Sequence, residues 1–434
     1  MFIINLLKNL YNAYRDIILD KKQKRVAFLA SLGSGLEYYD FVIYGMLAQF
    51  FSTQFFPKTN HLTALIQVFV IFALGYLVRP IGGTIFGMVG DYFGRKTTFL
   101  ISIILMGSST FFMGMIPTYQ YIGIYASLIF LVLRLIQGIS FGAELPSSLT
   151  FLAEHSGAKD RGLLIGIMIT SVGTGALLGS GFTFVLCKLL GKSNMVNFGW
   201  RIPFLLGGML AIIAYFFRKK TEETPIFLKE KKHEKIAIIK LLRKDFKNVV
   251  VTMLIIILPA SLIIFGVAFP SFASGIWKYK TTNIYFALVV GEVFSIGLIF
   301  LFGWLSDKIG RKKQYTAILI LFCAFGYSMF GLLEKHTFFH LILFVIIFKT
   351  FIAAMAGNYF AIMTENFITN IRNTGIAFCY NCVFAAAAFI PLLLLYIYKQ
   401  THSIKFISVF FVLLSVISLI GMIFIEDRTK KTLT

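Results

Sequence analysis

Charged residues are scarce in this chain, and that scarcity decides its broad class. Asp, Glu, Lys and Arg make up 14% of the 434 residues, while 58% are hydrophobic. A soluble globular protein carries about a quarter charged residues, which keep its surface hydrated. The composition therefore excludes an ordinary soluble domain and indicates an all-α membrane protein that crosses the bilayer many times.

Acidic residues are the scarcer sign of charge, with 19 against 41 basic residues and a formal net charge of +22. In a soluble protein such an excess would suggest a nucleic-acid partner. Here the basic residues concentrate between the apolar runs, so we interpret them as a topology signal with attraction to anionic lipid. We expect membrane lipid as a partner and no nucleic acid.

Cysteine and histidine are also rare, with four and six residues. All four cysteines lie in apolar runs, which argues against a disulfide framework. The C-x-x-C formed by Cys379 and Cys382 lacks the solvent access that a redox motif needs, so we expect ordinary helix packing. No His/Cys cluster has metal-ligand spacing and no phosphate-binding loop is present, so we expect no metal, no cofactor and no use of ATP.

Twelve apolar runs reach the roughly 20 residues that a helix needs to span a bilayer. They cover residues 26–56, 61–89, 97–116, 120–153, 162–187 and 198–217, and then 248–275, 281–304, 314–334, 338–363, 374–399 and 403–425. Residues 1–25 have apolar positions at helical spacing and no signal-peptide pattern, which predicts an amphipathic arm on the membrane surface. The polar stretch 218–247 links six-helix bundles at 26–217 and 248–425, and residues 426–434 form a tail.

The distribution of Lys and Arg predicts the orientation of the twelve spans. If both termini are cytoplasmic, 29 of the 41 basic residues fall on the cytoplasmic side, nine fall on the other side and three fall inside spans. Basic residues concentrate on the cytoplasmic side of membrane proteins. We therefore expect both termini and the central linker to be cytoplasmic.

The two halves repeat one another. The stretches GMVGDYFGRK (87–96) and GWLSDKIGRK (303–312) each follow the second span of their half and match at five offsets. A second echo links Glu154 and Arg161 with Glu365 and Arg372. Two echoes in equivalent loops indicate an internal duplication. The matched loop residues, which include one additional glycine in the first copy, are Gly87, Gly90, Asp91, Gly94, Arg95 and Lys96, and Gly303, Asp307, Gly310, Arg311 and Lys312.

Ionisable side chains inside the predicted spans are the strongest functional signal. An ionisable group within a membrane normally faces a cavity and pairs with another such group. We therefore predict one central polar site, with Tyr38, Tyr39 and Tyr44 available to line it. A static ion-pair network that braces the bundle remains the alternative. The residues concerned are Glu37, Asp40, Arg79, Arg134, Glu144, Glu292 and Lys349.

Several stretches resemble a known family. The two loop motifs resemble the G-x-x-x-D-R-x-G-R-[RK] element of the major facilitator superfamily, although Tyr92 replaces the usual first Arg. The remaining pieces resemble the metabolite–proton symporter branch of that superfamily. They are LEYYDFVIYG (36–45), RPIGGTIFGMVGD (79–91), RLIQGISFGAE (134–144), WRIPF (200–204), EETPIF (222–227) and TENFITNIRNTG (364–375).

This resemblance implies two pseudo-symmetric six-helix bundles that move by alternating access. It implies symport of a small polar metabolite with a proton as coupling ion, by a monomer in a bacterial inner membrane. Glu37, Asp40, Arg79, Arg134 and Glu144 would serve the proton and the substrate, and the loop motifs would clasp the halves on the cytoplasmic side. A plain topogenic turn is the alternative for the loops.

The nature of the substrate stays open at this stage. Mixed carboxylates and cations suit a zwitterion such as proline or betaine, and an organic acid bound by Arg134, Arg79 or Lys349 is the runner-up. A uniporter or a drug exporter is a third reading. A transport-inactive receptor or scaffold and a membrane-embedded enzyme are alternatives from other classes. No constellation of nucleophile, base and metal supports an enzyme.

Overall fold

The structure, a computed structural model, describes residues 21–56, 61–93, 95–142, 144–219, 241–243 and 245–433. Within these ranges it leaves out the side chains at 21–33, 37, 61, 87–96, 99, 155, 217 and 218. The described residues form helices and connecting turns, and none of them is in a β-strand. Most of the predicted arm 1–25 and of the linker 218–247 lies outside the described residues.

The first half consists of six helical paths, α1 to α6. Two of them are interrupted and continue after a short break. Their bounds are α1 Lys21–Phe55, α2 His61–Leu77 with Arg79–Phe93, α3 Arg95–Met115, α4 Ile124–Phe141 with Glu144–His155, α5 Arg161–Asn194 and α6 Arg201–Lys219. A short turn, Tyr119–Ile122, precedes α4, and a π-helical turn, Met195–Gly199, joins α5 to α6.

The second half repeats this plan with α7 to α12. Their bounds are α7 Phe246–Gly275, α8 Thr281–Ile309, α9 Arg311–Gly331, α10 Phe338–Asn366, α11 Thr369–Ala387 with Ile390–Thr401, and α12 Ile404–Phe424. Among the described residues nine helices are long and apolar enough to cross a membrane, and two shorter apolar helices lie at Leu100–Met115 and Arg201–Phe216. The predicted fold of two six-helix bundles is confirmed.

Each interrupted helix breaks just before a proline. Pro80, Pro146 and Pro391 stand within the first three residues of the second segments of α2, α4 and α11. Proline has no N–H to donate to the preceding turn, and its ring clashes with the carbonyl of that turn. Each of these three breaks therefore coincides with a proline, although α7 continues through Pro259 and Pro270 without a break.

The two halves meet along helices that come from opposite halves. α5 packs on α8, α1 packs on α7, and α2 and the end of α4 pack on α11. We call the end that carries the buried arginines Arg161, Arg311 and Arg372 the basic end, and the end that carries Gln49 and Tyr285 the far end. The halves are in contact at both ends of the bundle.

Glycine permits the closest helix contact inside the first half. A Cβ atom at Gly138 of α4 would lie 2.0 Å from the carbonyl oxygen of Gly75 in α2. No real Cβ atom approaches a backbone oxygen so closely, and backbone cannot yield as a flexible side chain can. This contact fixes the spacing of α2 and α4, which carry Arg79 and Arg134.

We expect Gly138→Ala to destabilise the folded protein because the methyl group forces α2 and α4 apart. Overpacking of this kind costs about 1–3 kcal/mol. The measurement is the midpoint of thermal unfolding of the purified protein in detergent. Gly297→Ala is the matched control, since a Cβ at Gly297 meets nothing within 4 Å. Equal midpoints for Gly138→Ala and Gly297→Ala would contradict the role of this contact.

Candidate functional site

A cavity lies between the two halves, and its empty space together with its opening to solvent amounts to about 910 Å³. Its walls come from α1, α4 and α5 on one side and from α7, α8, α10 and α11 on the other, and most of its lining is apolar. The polar lining residues are Ser34, Tyr38, Glu292, Ser295, Lys349, Tyr359 and Tyr380. A largely apolar cavity with a few polar groups is the usual form of a small-molecule site.

One ion pair provides the charge in this cavity wall. Lys349 of α10 contacts the carboxylate of Glu292 of α8 through its Nζ, and both residues are buried. Gly291 makes room for the lysine stem, since a Cβ there would lie 3.1 Å from Lys349 Cγ. Both residues are among those predicted to line a substrate cavity, and both line the cavity in the structure.

Three tyrosines approach the cavity from both halves. Tyr38 belongs to α1, Tyr359 to α10 and Tyr380 to α11. Tyr38 lines the same cavity as Glu292 of the other half. Tyr359 and Tyr380 are absent from the sequence prediction, because a tyrosine in an apolar helix gives no sign of which side it faces.

The predicted arginines lie behind this wall, inside the first half. The guanidinium groups of Arg79 and Arg134 cover Phe41 of α1, with Cζ atoms 3.9 and 4.1 Å from the ring centre. Both arginines are buried, and Nε and Nη2 of each have no hydrogen-bond partner among the described residues. Tyr76 and Tyr44 supply further aromatic faces at 3.8 and 4.3 Å. Cation–π contact thus replaces part of the lost hydration.

Gln137 connects Arg134 to α1, and it is not among the site residues predicted from the sequence. Arg134 Nη1 donates to Gln137 Oε1 at 2.5 Å. Gln137 Nε2 donates to the backbone oxygen of Asp40 at 3.0 Å and to Thr110 Oγ1 at 2.9 Å. A glutamine one turn after Arg134 in an apolar helix is the sequence signal that could have identified it.

Asp40 faces the interior of the first half and is absent from the cavity lining. Its side chain is buried, and its Oδ1 has no hydrogen-bond partner among the described residues. A Cβ at Gly207 of α6 would lie 2.3 Å from this oxygen. Glycine at position 207 therefore leaves the space that this carboxyl oxygen occupies.

The other predicted residues of the first half take different positions. The hydroxyl groups of Tyr39 and Tyr44 donate to the backbone oxygens of Pro203 and Val68 inside the first half, at 3.0 and 3.1 Å. Glu144 is buried at the start of the second segment of α4, where a helix N-terminus favours a carboxylate. The side chain of Glu37 lies outside the described residues.

The prediction of one shared polar site therefore needs a geometric correction. The cavity wall holds Glu292, Lys349 and Tyr38, whereas Asp40, Arg79 and Arg134 form a separate polar cluster within the first half. Residues at matched depth can point to opposite sides of a helix bundle. Asp40 follows Tyr38 by two positions, which turns its side chain about 200° around α1.

Ion pairs close the basic end between the halves. Glu365 of α10 accepts from Arg161 of α5 at 2.5 Å and from Arg311 of α9 at 2.7 Å. Arg372 of α11 pairs with Glu154 of α4 at 2.8 Å. The two pairs that cross between the halves consist of the four residues of the second sequence echo. The duplication therefore places complementary charges on facing helix ends.

The second loop motif takes part in the same closure. Asp307 accepts from the backbone N–H groups of Gly162 and Leu163, at 2.9 and 2.8 Å, and from Arg311 at 2.9 Å. A carboxylate at the first turn of α5 is favoured by the helix dipole. Gly310 has a φ of 104°, which a glycine tolerates, and Lys312 donates to the Ile425 backbone oxygen at 2.7 Å.

The first copy of the motif cannot be compared with the second. The side chains of Gly87, Gly90, Asp91, Gly94, Arg95 and Lys96 lie outside the described residues, and their predicted role as a clasp stays a prediction. In the second copy Gly303 allows α5 and α8 to approach, since a Cβ at this position would lie 2.7 Å from the Gly162 backbone oxygen.

Uncharged hydrogen bonds close the far end. Gln49 of α1 donates to the hydroxyl of Tyr285 in α8 at 3.1 Å, and Ser274 of α7 contacts the Gln49 side-chain oxygen. The Tyr285 hydroxyl donates in turn to the Met46 backbone oxygen at 2.5 Å. Contacts between the halves thus lie on both sides of the cavity, and each set must break for that side to open.

Two six-helix halves that surround a cavity and contact each other on both sides of it form the architecture of a membrane transporter that works by alternating access. Residues 26–257 match the family model described as "Sugar (and other) transporter", and residues 252–433 match the model described as "Major Facilitator Superfamily". The chain belongs to the major facilitator superfamily.

Curated relatives agree with this assignment. The chain is 28% identical to the "Proline/betaine transporter" of Salmonella typhimurium, over 96% of this chain and 86% of the relative. It is 27% identical to the "Glycine betaine/proline/ectoine/pipecolic acid transporter OusA" of Dickeya dadantii, with the same coverage. A solved D-xylose-proton symporter has the same fold, with a TM-score of 0.76 and 19% identity over 94% of this chain and 99% of that one.

We expect Glu365→Gln to open the basic end, because Arg161 loses the carboxylate that ties it to the other half, while Arg311 keeps its pair with Asp307. The measurement is the distance between two spin labels, attached to cysteines introduced at the exposed positions Asp160 and Lys313 of a cysteine-free protein. Pulsed electron–electron double resonance gives the distribution of this distance. A longer-distance population should increase at least several-fold. Glu426→Gln is the control, since Glu426 is exposed and its pair with Arg428 is 3.6 Å long. An unchanged distribution in Glu365→Gln would contradict the gate.

Proposed function

We propose that this protein is a secondary active transporter that carries a small zwitterionic osmolyte, such as proline or betaine, together with a proton. The observation that carries this proposal is the charge of the cavity. Its described lining holds one cation, Lys349, and one carboxylate, Glu292, and its remaining residues are uncharged. A cavity with no net charge suits a substrate with no net charge. The names of the curated relatives support the same class of substrate.

The chemistry of the wall fits the two ends of a zwitterion. Lys349 would bind the substrate carboxylate through a charge-assisted hydrogen bond. Glu292 would bind the positive nitrogen, and the aromatic faces of Tyr38, Tyr359 and Tyr380 would stabilise a methylated ammonium group that cannot donate hydrogen bonds. The apolar lining would contact the hydrocarbon part of the molecule.

An organic acid is the second candidate, and the geometry favours it less. A dicarboxylate needs two cations, whereas Glu292 already neutralises the one lysine of the wall. Arg79 and Arg134 are absent from the lining and are covered by aromatic rings. An organic acid could reach them only if these rings moved aside.

Asp40 supports the coupling to protons. Its carboxyl is buried against α6, and Gln137 ties its backbone to Arg134 of α4. A carboxyl in such a place can take up a proton when water reaches it from one side and release the proton after the halves move. Glu37, one helical turn before Phe41, is the second candidate for this role.

We further propose that the basic end faces the cytoplasm of a bacterial cell, with both termini on that side. The excess of Lys and Arg in the loops at this end supports the orientation. The protein would act as a monomer in the inner membrane, with anionic lipid around its basic loops. It would use the proton as coupling ion and no cofactor.

Substrate class is tested by counterflow of labelled compounds into proteoliposomes. We expect exchange of proline and glycine betaine and none of succinate or xylose. Lys349→Gln should raise the KM for glycine betaine about 10- to 100-fold, because it removes a hydrogen bond to a charged group. Such a bond contributes about 1.5–3 kcal/mol. Lys335→Gln, at an exposed position outside the cavity, is the control. Exchange of succinate but not betaine would favour the organic-acid alternative.

Proton coupling is tested with the two acids of α1. We expect Asp40→Asn or Glu37→Gln to abolish uptake against a gradient when a pH difference drives it. Counterflow needs no net proton movement, so it should survive at least partly in one of the two variants. Asp160→Asn, at an exposed position, should behave as the wild type. If both α1 variants still concentrate substrate, neither carboxyl carries the coupled proton.

A further inference from the structure

The Glu292–Lys349 pair is buried in the wall of the cavity, between the contacts that join the halves at the basic end and at the far end. The side chain of Glu292 is 3% exposed and that of Lys349 is 11% exposed. Removing one member of a buried pair is strongly destabilising, because it leaves a charge without compensation. The described lining offers neither residue another charged partner. Each of the two charges therefore depends on the other whenever the cavity is closed and empty.

Both members of the pair belong to the same half. α8 and α10 pack against each other within the second bundle, and Gly291 allows their close approach. A Cβ at Gly291 would lie 2.7 Å from Val345 Cγ1. Alternating access moves one half against the other largely as rigid bodies. The pair is therefore kept when either end opens, unlike the Arg161–Glu365 pair, which joins the two halves.

A transporter that accumulates its substrate must return empty after each delivery. Both the loaded and the empty protein must then pass through a closed state. A zwitterion leaves the total charge of the cavity unchanged, so it can engage both residues in the loaded state. In the empty state the two residues engage one another instead.

From this geometry we infer that the Glu292–Lys349 pair allows the empty protein to pass through its occluded state, because each charge compensates the other when no substrate is bound. Glu292 and Lys349, which would bind the substrate in the loaded protein, bind each other while the empty protein returns. This inference rests on the proposed function for its account of the loaded state. Its account of the empty state concerns the substrate-free protein alone.

The test follows the empty protein and uses no substrate. Dyes at Lys192 and Lys335, two exposed positions at the far end on different halves, report opening by single-molecule energy transfer in nanodiscs. The four native cysteines are first replaced. We expect Glu292→Gln and Lys349→Gln each to slow interconversion at least tenfold, since a lone charge must cross the closed state. The double variant Glu292→Gln/Lys349→Gln should recover nearly the wild-type rate.

A charge-swapped variant, Glu292→Lys with Lys349→Glu, distinguishes loss of the pair from damage to the fold. It keeps the pair and changes both residues, so it should also interconvert at nearly the wild-type rate. A double neutral variant as slow as the single variants would overturn the inference, as would single variants with wild-type rates. If the protein failed to exchange proline or betaine, the proposed function would be refuted. The interconversion rates of the substrate-free protein would still test the inference about the pair.

Discussion

The cost of burying charge inside a membrane protein governs the arrangement of most of the buried charged groups that the structure describes. A charge in the membrane interior costs several kcal/mol, and the structure meets that cost in three ways. At the basic end, arginine–carboxylate pairs join the halves. In the first half, aromatic rings cover two arginines. In the cavity, Glu292 and Lys349 compensate one another.

These three solutions differ in what movement does to them. The pairs of Arg161 and Arg372 cross between the halves, as do the hydrogen bonds of Asp307 to α5, so opening the basic end must break them. The Glu292–Lys349 pair lies within one half and can be kept throughout. The far end uses the neutral side chains of Gln49 and Tyr285. Charge thus holds the basic end, and neutral hydrogen bonds hold the far end.

Much of the architecture was predictable because the bilayer leaves few choices. Apolar length predicts spans, and the two repeated loop motifs predict a duplicated fold. Pro80, Pro146 and Pro391 mark the three helix breaks. The second echo, Glu154 and Arg161 with Glu365 and Arg372, indicated which loops correspond. It did not indicate that each acid would pair with the arginine of the other half.

The sequence by itself determined the membrane class, the two six-helix halves and the identity of the buried ionisable residues, because composition, length and repetition are properties of the chain. Only the tertiary structure decided which of those residues share a site. Tyr38 and Asp40 are two positions apart, yet one faces the cavity and the other faces α6. The direction of a side chain depends on how each helix is rotated in the bundle, and glycine contacts such as Gly75 with Gly138 fix the spacing of helices that sequence periodicity cannot place.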